Sequence, residues 1–103
     1  MISREDFAFT IGYDGAHAIV DGKARGQYGR LGTMELAEKG LYRAAFSSAL
    51  WTATATEGPK DEGEMRQFIE LYNKRAGTSY AKAEDMQRLF GVAIEEIKKV
   101  LAL

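Results

Sequence analysis

The chain has 103 residues, 46% of them hydrophobic and 28% charged, which is the composition of one ordinary globular domain and not of a disordered or fibrous chain. Fourteen basic against fifteen acidic side chains leave a net charge of −1, so no long-range field gathers nucleic acid or an anionic membrane, and any such binding would need a local patch. The absence of cysteine excludes disulfides, thiolate metal sites and cysteine nucleophiles.

From Phe7 to Val20 the pattern has period two: Phe9, Ile11 and Tyr13 alternate with Thr10 and Gly12, and Asp14-Gly15 then precedes AHAIV. An Asp-Gly pair accommodates a type I′ turn, which predicts a hairpin with Tyr13 opposite Ala16, Ile11 opposite Ala18 and Phe9 opposite Val20. A second pair, Asp21-Gly22, predicts another reversal into a third strand, KARGQY, weakened by its glycine. Beyond Gly29 and Gly32, Thr33 is a good N-cap and Glu35 lies in the first turn, where the helix dipole favours an acid. One long helix is expected from about Met34 to Trp51.

The segment from Thr52 to Gly63, TATATEGPKDEG, holds the only proline and no large apolar side chain, and reads as a loop. Asp61 can cap a second helix on which Met65, Phe68, Ile69, Tyr72 and Ala76 share one face. Lys74, Arg75 and Gly77 suit its end. A third helix is expected over about Lys82 to Phe90 and a fourth over about Ile94 to Leu101, with Gly91 between them. The expected architecture is α+β in a single domain, 1–103. An N-terminal antiparallel hairpin or three-stranded meander with a glycine-rich loop (1–32) packs on a long helix (33–51), and a loop (52–63) leads to three shorter helices (64–103).

The most informative stretch is RAAFSSALW, Arg43 to Trp51, which carries no charge on any face after Arg43 and must therefore be buried all round. Glu35, Glu38, Lys39 and Arg43 form a polar stripe ahead of it, so the helix starts at the surface and runs inward. Its small residues allow either burial in its own core or close packing on a second copy. In the second case Ala44, Ala45, Phe46, Ser48, Ala49 and Trp51 form the contact of a homodimer, the commonest closed assembly. A domain of this size buries only roughly 60–70% of its unfolded surface and gains from a partner.

Two further constellations carry chemistry. In DGKARGQYGRLGT, four glycines are interleaved with Lys23, Arg25 and Arg30 just before a helix N-terminus at Gly32 and Thr33, a setting that suits a small anion. It lacks the lysine-serine/threonine of a phosphate loop, and a turn beside a charged edge strand is the favoured explanation. In the C-terminal segment, Met86, Phe90, Gly91, Val92, Ile97 and Val100 have the spacing of a helix-turn-helix, which LFGVAIEEIKKVL resembles. The resemblance implies a DNA-binding helix with Lys98 and Lys99 on phosphates. Against it, Gln87 stands where close helix packing wants a small residue, and Glu95 and Glu96 would meet the bases.

His17, the only histidine, falls on the face opposite Tyr13, with Asp14 and Asp21 at opposite ends of its strand, so neither a triad nor a metal site is expected. Acidic pairs such as Glu84/Asp85 lie near helix starts, where the dipole accounts for them. Arg4 interrupts MISREDF before a signal-peptide core can develop, and no apolar run approaches the roughly 20 residues of a membrane helix. A soluble, cytoplasmic protein off the membrane is therefore expected. The sequence reads as a non-enzymatic domain without cofactor or metal, acting through association with itself or another protein. A nucleic-acid binder and a binder of small anions are the alternatives.

Overall fold

The computed structural model describes residues 3–14, 17–54 and 62–92. It is a small α+β fold in which the described residues form a two-stranded antiparallel hairpin and six helices. The first helix, α1 (Arg4–Ala8), was not expected. Ser3 Oγ accepts from the Asp6 N–H (3.2 Å) and the Asp6 carboxylate accepts from the Ser3 N–H (3.3 Å), a capping box that starts the helix ahead of the first strand.

The hairpin joins β1 (Thr10–Asp14) to β2 (His17–Val20), in a different register from the one expected. Asp14 pairs with His17, Tyr13 with Ala18, Gly12 with Ile19 and Thr10 with Val20, and Ile11 is the extra residue of a bulge. Asp14, expected as the first residue of the turn, is thus the last paired residue of β1. Phe9 leaves the strand because it closes α1; it is buried there, and its carbonyl accepts from the Asp21 N–H (2.8 Å).

The expected third strand is a helix, α2 (Gly22–Tyr28). Asp21 caps it by accepting from the Ala24 N–H (3.1 Å), so the second Asp-Gly pair is a helix start and not a strand turn. Lys, Ala, Arg and Gln are good helix formers, and KARGQY has no β-branched residue to hold it extended.

The long helix is divided. Between α3 (Thr33–Glu38) and α4 (Tyr42–Thr54), Gly40 adopts φ +80°, its N–H bonds the Ala37 carbonyl and the Leu41 N–H bonds the Leu36 carbonyl, both at 3.0 Å. This Schellman arrangement turns the chain and uses the orphan carbonyls of α3. Arg75 caps the same end by donating to the Ala37 carbonyl (2.9 Å) and the Glu38 carboxylate (2.7 Å). Hydrogen bonding to the Tyr42 hydroxyl and then to Glu38 pushes its pKa further up.

The helices α5 (Gly63–Ala76) and α6 (Ala83–Phe90) stand where the sequence pattern puts them. Met65, Phe68 and Ile69 are buried on α5, and both helices end at a left-handed glycine, Gly77 and Gly91. Asp61, expected as the cap of α5, and the fourth helix expected over 94–101 lie outside the described residues. The connection after α5 is held by Asn73, whose amide oxygen accepts from the Tyr80 N–H (2.9 Å) and Thr78 Oγ1 (2.8 Å) while its nitrogen donates to the Tyr80 carbonyl (2.8 Å). Tyr80 is thereby set against Tyr72, which also meets Tyr42 edge-on with ring centres 5.3 Å apart.

Helix α4 is the axis of the fold, with α1, α3, α5 and α6 packed around it. Ala45 and Ala49 let neighbouring helices close in, while the Phe46 ring packs on Phe90 (5.1 Å between centres) and Phe68 (6.0 Å).

Candidate functional site

The uncharged run of α4 lies in the chain's own core. Ala44, Ala45, Phe46, Ser48 and Ala49 are buried, Ala45 completely, and Trp51 is half-buried against Phe7. A second copy would reach these side chains only through the helices already lying over them. The polar stripe ahead of the run is split between two helices: Glu38 pairs with Arg75, and Arg43 turns to backbone carbonyls of two other elements.

Ser48 belongs to a hydrogen-bonded chain that crosses four helices. Arg4 Nη1 donates to Ser48 Oγ, Ser48 Oγ lies 2.8 Å from Thr33 Oγ1, and Thr33 Oγ1 donates to Glu64 Oε2 at 2.9 Å. Each hydroxyl has one proton. Thr33 spends its proton on Glu64, so Ser48 must donate to Thr33, which leaves the Ser48 oxygen to accept from the guanidinium. Both ends are charged, which strengthens such a chain. Its neighbour Ser47 is equally buried, yet its hydroxyl has no hydrogen-bond partner among the described residues.

The same cluster engages part of the segment expected to bind an anion. Arg4 Nη2 donates to the carbonyls of Gly29 (3.1 Å) and Leu31 (3.0 Å), so the glycine-rich segment turns acceptors toward a cation of its own chain. Its donors are used as well: the Gly32 N–H goes to the Glu35 carboxylate (3.2 Å) and the Leu31 N–H to the Tyr28 carbonyl (3.0 Å). The Thr33 hydroxyl is buried in the polar chain, Arg25 pairs with Asp6 at 2.6 Å, and Lys23 and Arg30 are exposed. Of the five residues, Arg25 and Arg30 line one small pocket together with Glu5, Gly26 and Gly29, while Gly32 and Thr33 are engaged elsewhere, because α3 supplies its own carboxylate to its N-terminus.

Lys98 and Lys99, together with Glu95 and Glu96, lie outside the described residues. Of the helix-turn-helix spacing, Met86 and Val92 are buried and Phe90 joins the aromatic cluster, so the described half serves the core. The shifted register sets Asp14 opposite His17, where the sequence placed it at the strand end. Among the described residues no three His, Cys, Asp or Glu side chains could share a metal ion, and no helix is long and apolar enough to cross a membrane.

Two features that the sequence reading passed over stand out at the surface. One is the hairpin, where Ile11 is 64% and Ile19 46% exposed, one isoleucine on each strand. The other is a groove of about 310 Å³ between β1, α2 and the start of α4, with Arg43 on its wall. A larger groove, about 640 Å³, lies over Leu50, Met65 and Ile69, but its charged residues Glu62, Arg66, Lys82 and Glu84 balance and select no ligand charge. Arg43 had a signal in sequence, as the last charge before the uncharged run. No protein-family model, curated protein or solved structure matches the chain.

Proposed function

We propose that this protein is a non-enzymatic association domain that works as a homodimer, and that the contact is the β1–β2 hairpin and not α4. The observation that carries this reading is the pair of exposed isoleucines on a ribbon that has two strands among the described residues. Such a ribbon is marginal in water and gains from a further strand or an apolar cover. Strand β2, His17–Val20, has no lysine, glutamate or proline of the kind that protects an edge, whereas β1 carries the bulge. A second copy brings the same edge in antiparallel sense about a two-fold axis. This makes a four-stranded sheet, closes the assembly and buries Ile19 on both sides. The hydroxyls and carboxylate that would interest a chemist most, Ser48, Thr33 and Glu64, are committed to one another, which favours a structural role for them.

The test is absolute mass by light scattering across a range of concentrations. Twice the chain mass of 11.4 kDa is expected for the natural protein, and the single mass for Ile19→Lys with an unchanged helical circular-dichroism spectrum. A natural protein that stays monomeric at high concentration overturns the proposal, as does an Ile19→Lys variant that remains a dimer.

A further inference from the structure

The geometry points to a ligand site in the groove between β1, α2 and the start of α4, built for a small amphipathic monocarboxylate whose carboxylate binds Arg43 and whose apolar tail lies along the groove. Ala8, Phe9, Ile11, Ala24, Tyr28 and Leu41 supply apolar walls; Ile11 is the one residue shared with the exposed isoleucine pair of the hairpin, while Ile19 on β2, at the centre of the proposed dimer contact, lies off the groove. Arg43 is half-buried. Its Nε donates to the Phe90 carbonyl at the end of α6 (3.1 Å) and its Nη1 to the Thr10 carbonyl at the start of β1. These two bonds use two of five donors and fix the plane of the guanidinium, but neither acceptor carries a charge.

Among the described residues Arg43 makes no ion pair. The acid on the groove wall, Asp21, is engaged at the N-terminus of α2, where it accepts from the Ala24 N–H. A half-buried, orientationally fixed guanidinium without a counter-charge, at the side of an apolar groove, is the arrangement that a ligand carboxylate completes with short, charge-assisted hydrogen bonds. A divalent phosphate would bring more charge than one guanidinium answers and no group for the apolar walls. A cation would be repelled. The volume of about 310 Å³ equals on the order of ten waters at ~30 Å³ each, which suits acids of roughly ten heavy atoms, such as octanoate or 3-phenylpropanoate.

The experiment is a titration of the ¹⁵N-labelled protein with octanoate, with 1-octanol and inorganic phosphate as controls, followed by amide shifts. Saturable shifts at Ala24, Gly40 and Leu41 are expected with octanoate, while octanol should bind weaker by about tenfold or more, the span of one charge-assisted hydrogen bond. Arg43→Gln, which keeps a donor but removes the charge, should bring octanoate down to the level of octanol. Because Arg43 also joins β1 to α6, a second variant, Ala24→Leu, fills the groove without touching the guanidinium and should abolish binding of both ligands. Equal affinity for octanoate and octanol, no saturable shift up to about 10 mM octanoate, or undiminished binding by Ala24→Leu would each overturn the assignment. So would a phosphate response matching that of octanoate.

Discussion

Ser47 and Ser48 are adjacent, both almost fully buried, and on the same helix, yet replacing each with alanine should have opposite consequences. Ser48→Ala removes the acceptor of one Arg4 N–H and the donor to Thr33, so a guanidinium and a hydroxyl lose partners where water hardly reaches. A hydrogen bond to a charged group contributes about 1.5–3 kcal/mol and a neutral one about 0.5–1.5. Arg4 keeps the carbonyls of Gly29 and Leu31, which offsets part of the loss. The net cost should be about 2 kcal/mol, or near 10 °C in Tm for a domain of this size. In Ser47→Ala no hydrogen bond is lost, a desolvated hydroxyl disappears, and alanine is the better helix former by about 0.5 kcal/mol, so the variant should melt at or slightly above the natural temperature. Urea and thermal melts followed by circular dichroism at one protein concentration give both numbers. A cycle with Thr33→Val should show coupling to Ser48→Ala of more than about 0.5 kcal/mol and none to Ser47→Ala. If Ser47→Ala destabilises as much as Ser48→Ala, the account of which hydroxyl is engaged is wrong.

Other substitutions test separate joints of the fold. Gly40→Ala places a Cβ at φ +80° and should cost about 1–2 kcal/mol in a urea melt; an unchanged midpoint would mean that the α3–α4 turn is not the one described. Asn73→Ala strips three hydrogen bonds from the 78–80 connection and should raise amide exchange at Tyr80 well before it changes exchange in α4. Ala45→Glu puts a carboxylate at a fully buried position and should unfold the domain, whereas a folded monomer would return α4 to the interface. The Glu5 carboxyl is held below its ordinary pKa, chiefly by its own backbone N–H, then by Ser3 and Arg4 and against some desolvation. A depressed folded pKa gives stability that is present above the unfolded value of about 4.3 and lost as pH falls through the folded one, so Glu5→Gln should flatten the acid limb of the melting profile.

Elements whose sequence carried both a periodic face and a stop signal were legible. Helix α5 has Met65, Phe68 and Ile69 at helical spacing and a glycine that no other residue could replace cheaply at φ +69°, and α6 repeats the device at Gly91. Helices α1 and α2 were hidden for two different reasons. The alternation Phe7, Phe9, Ile11 looks like a strand although its first members close a five-residue helix, and only the Ser3-to-Asp6 spacing betrayed the capping box. Asp21-Gly22 is ambiguous by chemistry, since the carboxylate that stabilises a tight turn is also a helix N-cap. The candidate sites fared worse because they depend on contacts distant in sequence. Arg4, Thr33, Ser48 and Glu64 sit on four helices, and no spacing rule joins them.

The missed helices decide how the uncharged run of α4 is read. With a meander on one side and three helices to share, the cover for α4 falls short and a second copy becomes attractive. With α1 added, and with α3 turned back at Gly40 to pack alongside α4, the run is enclosed by its own chain. Of the large apolar side chains left exposed among the described residues, Leu89 lies on α6 and the other two sit on the hairpin, where the Ile11 bulge and the short β2 hold both isoleucines outside the core. The surface proposed for association therefore lies on the hairpin and not on the small residues of α4, and the two placements separate in one comparison. A charge at Ala45 should remove the fold and the dimer together, whereas a charge at Ile19 should remove the dimer alone.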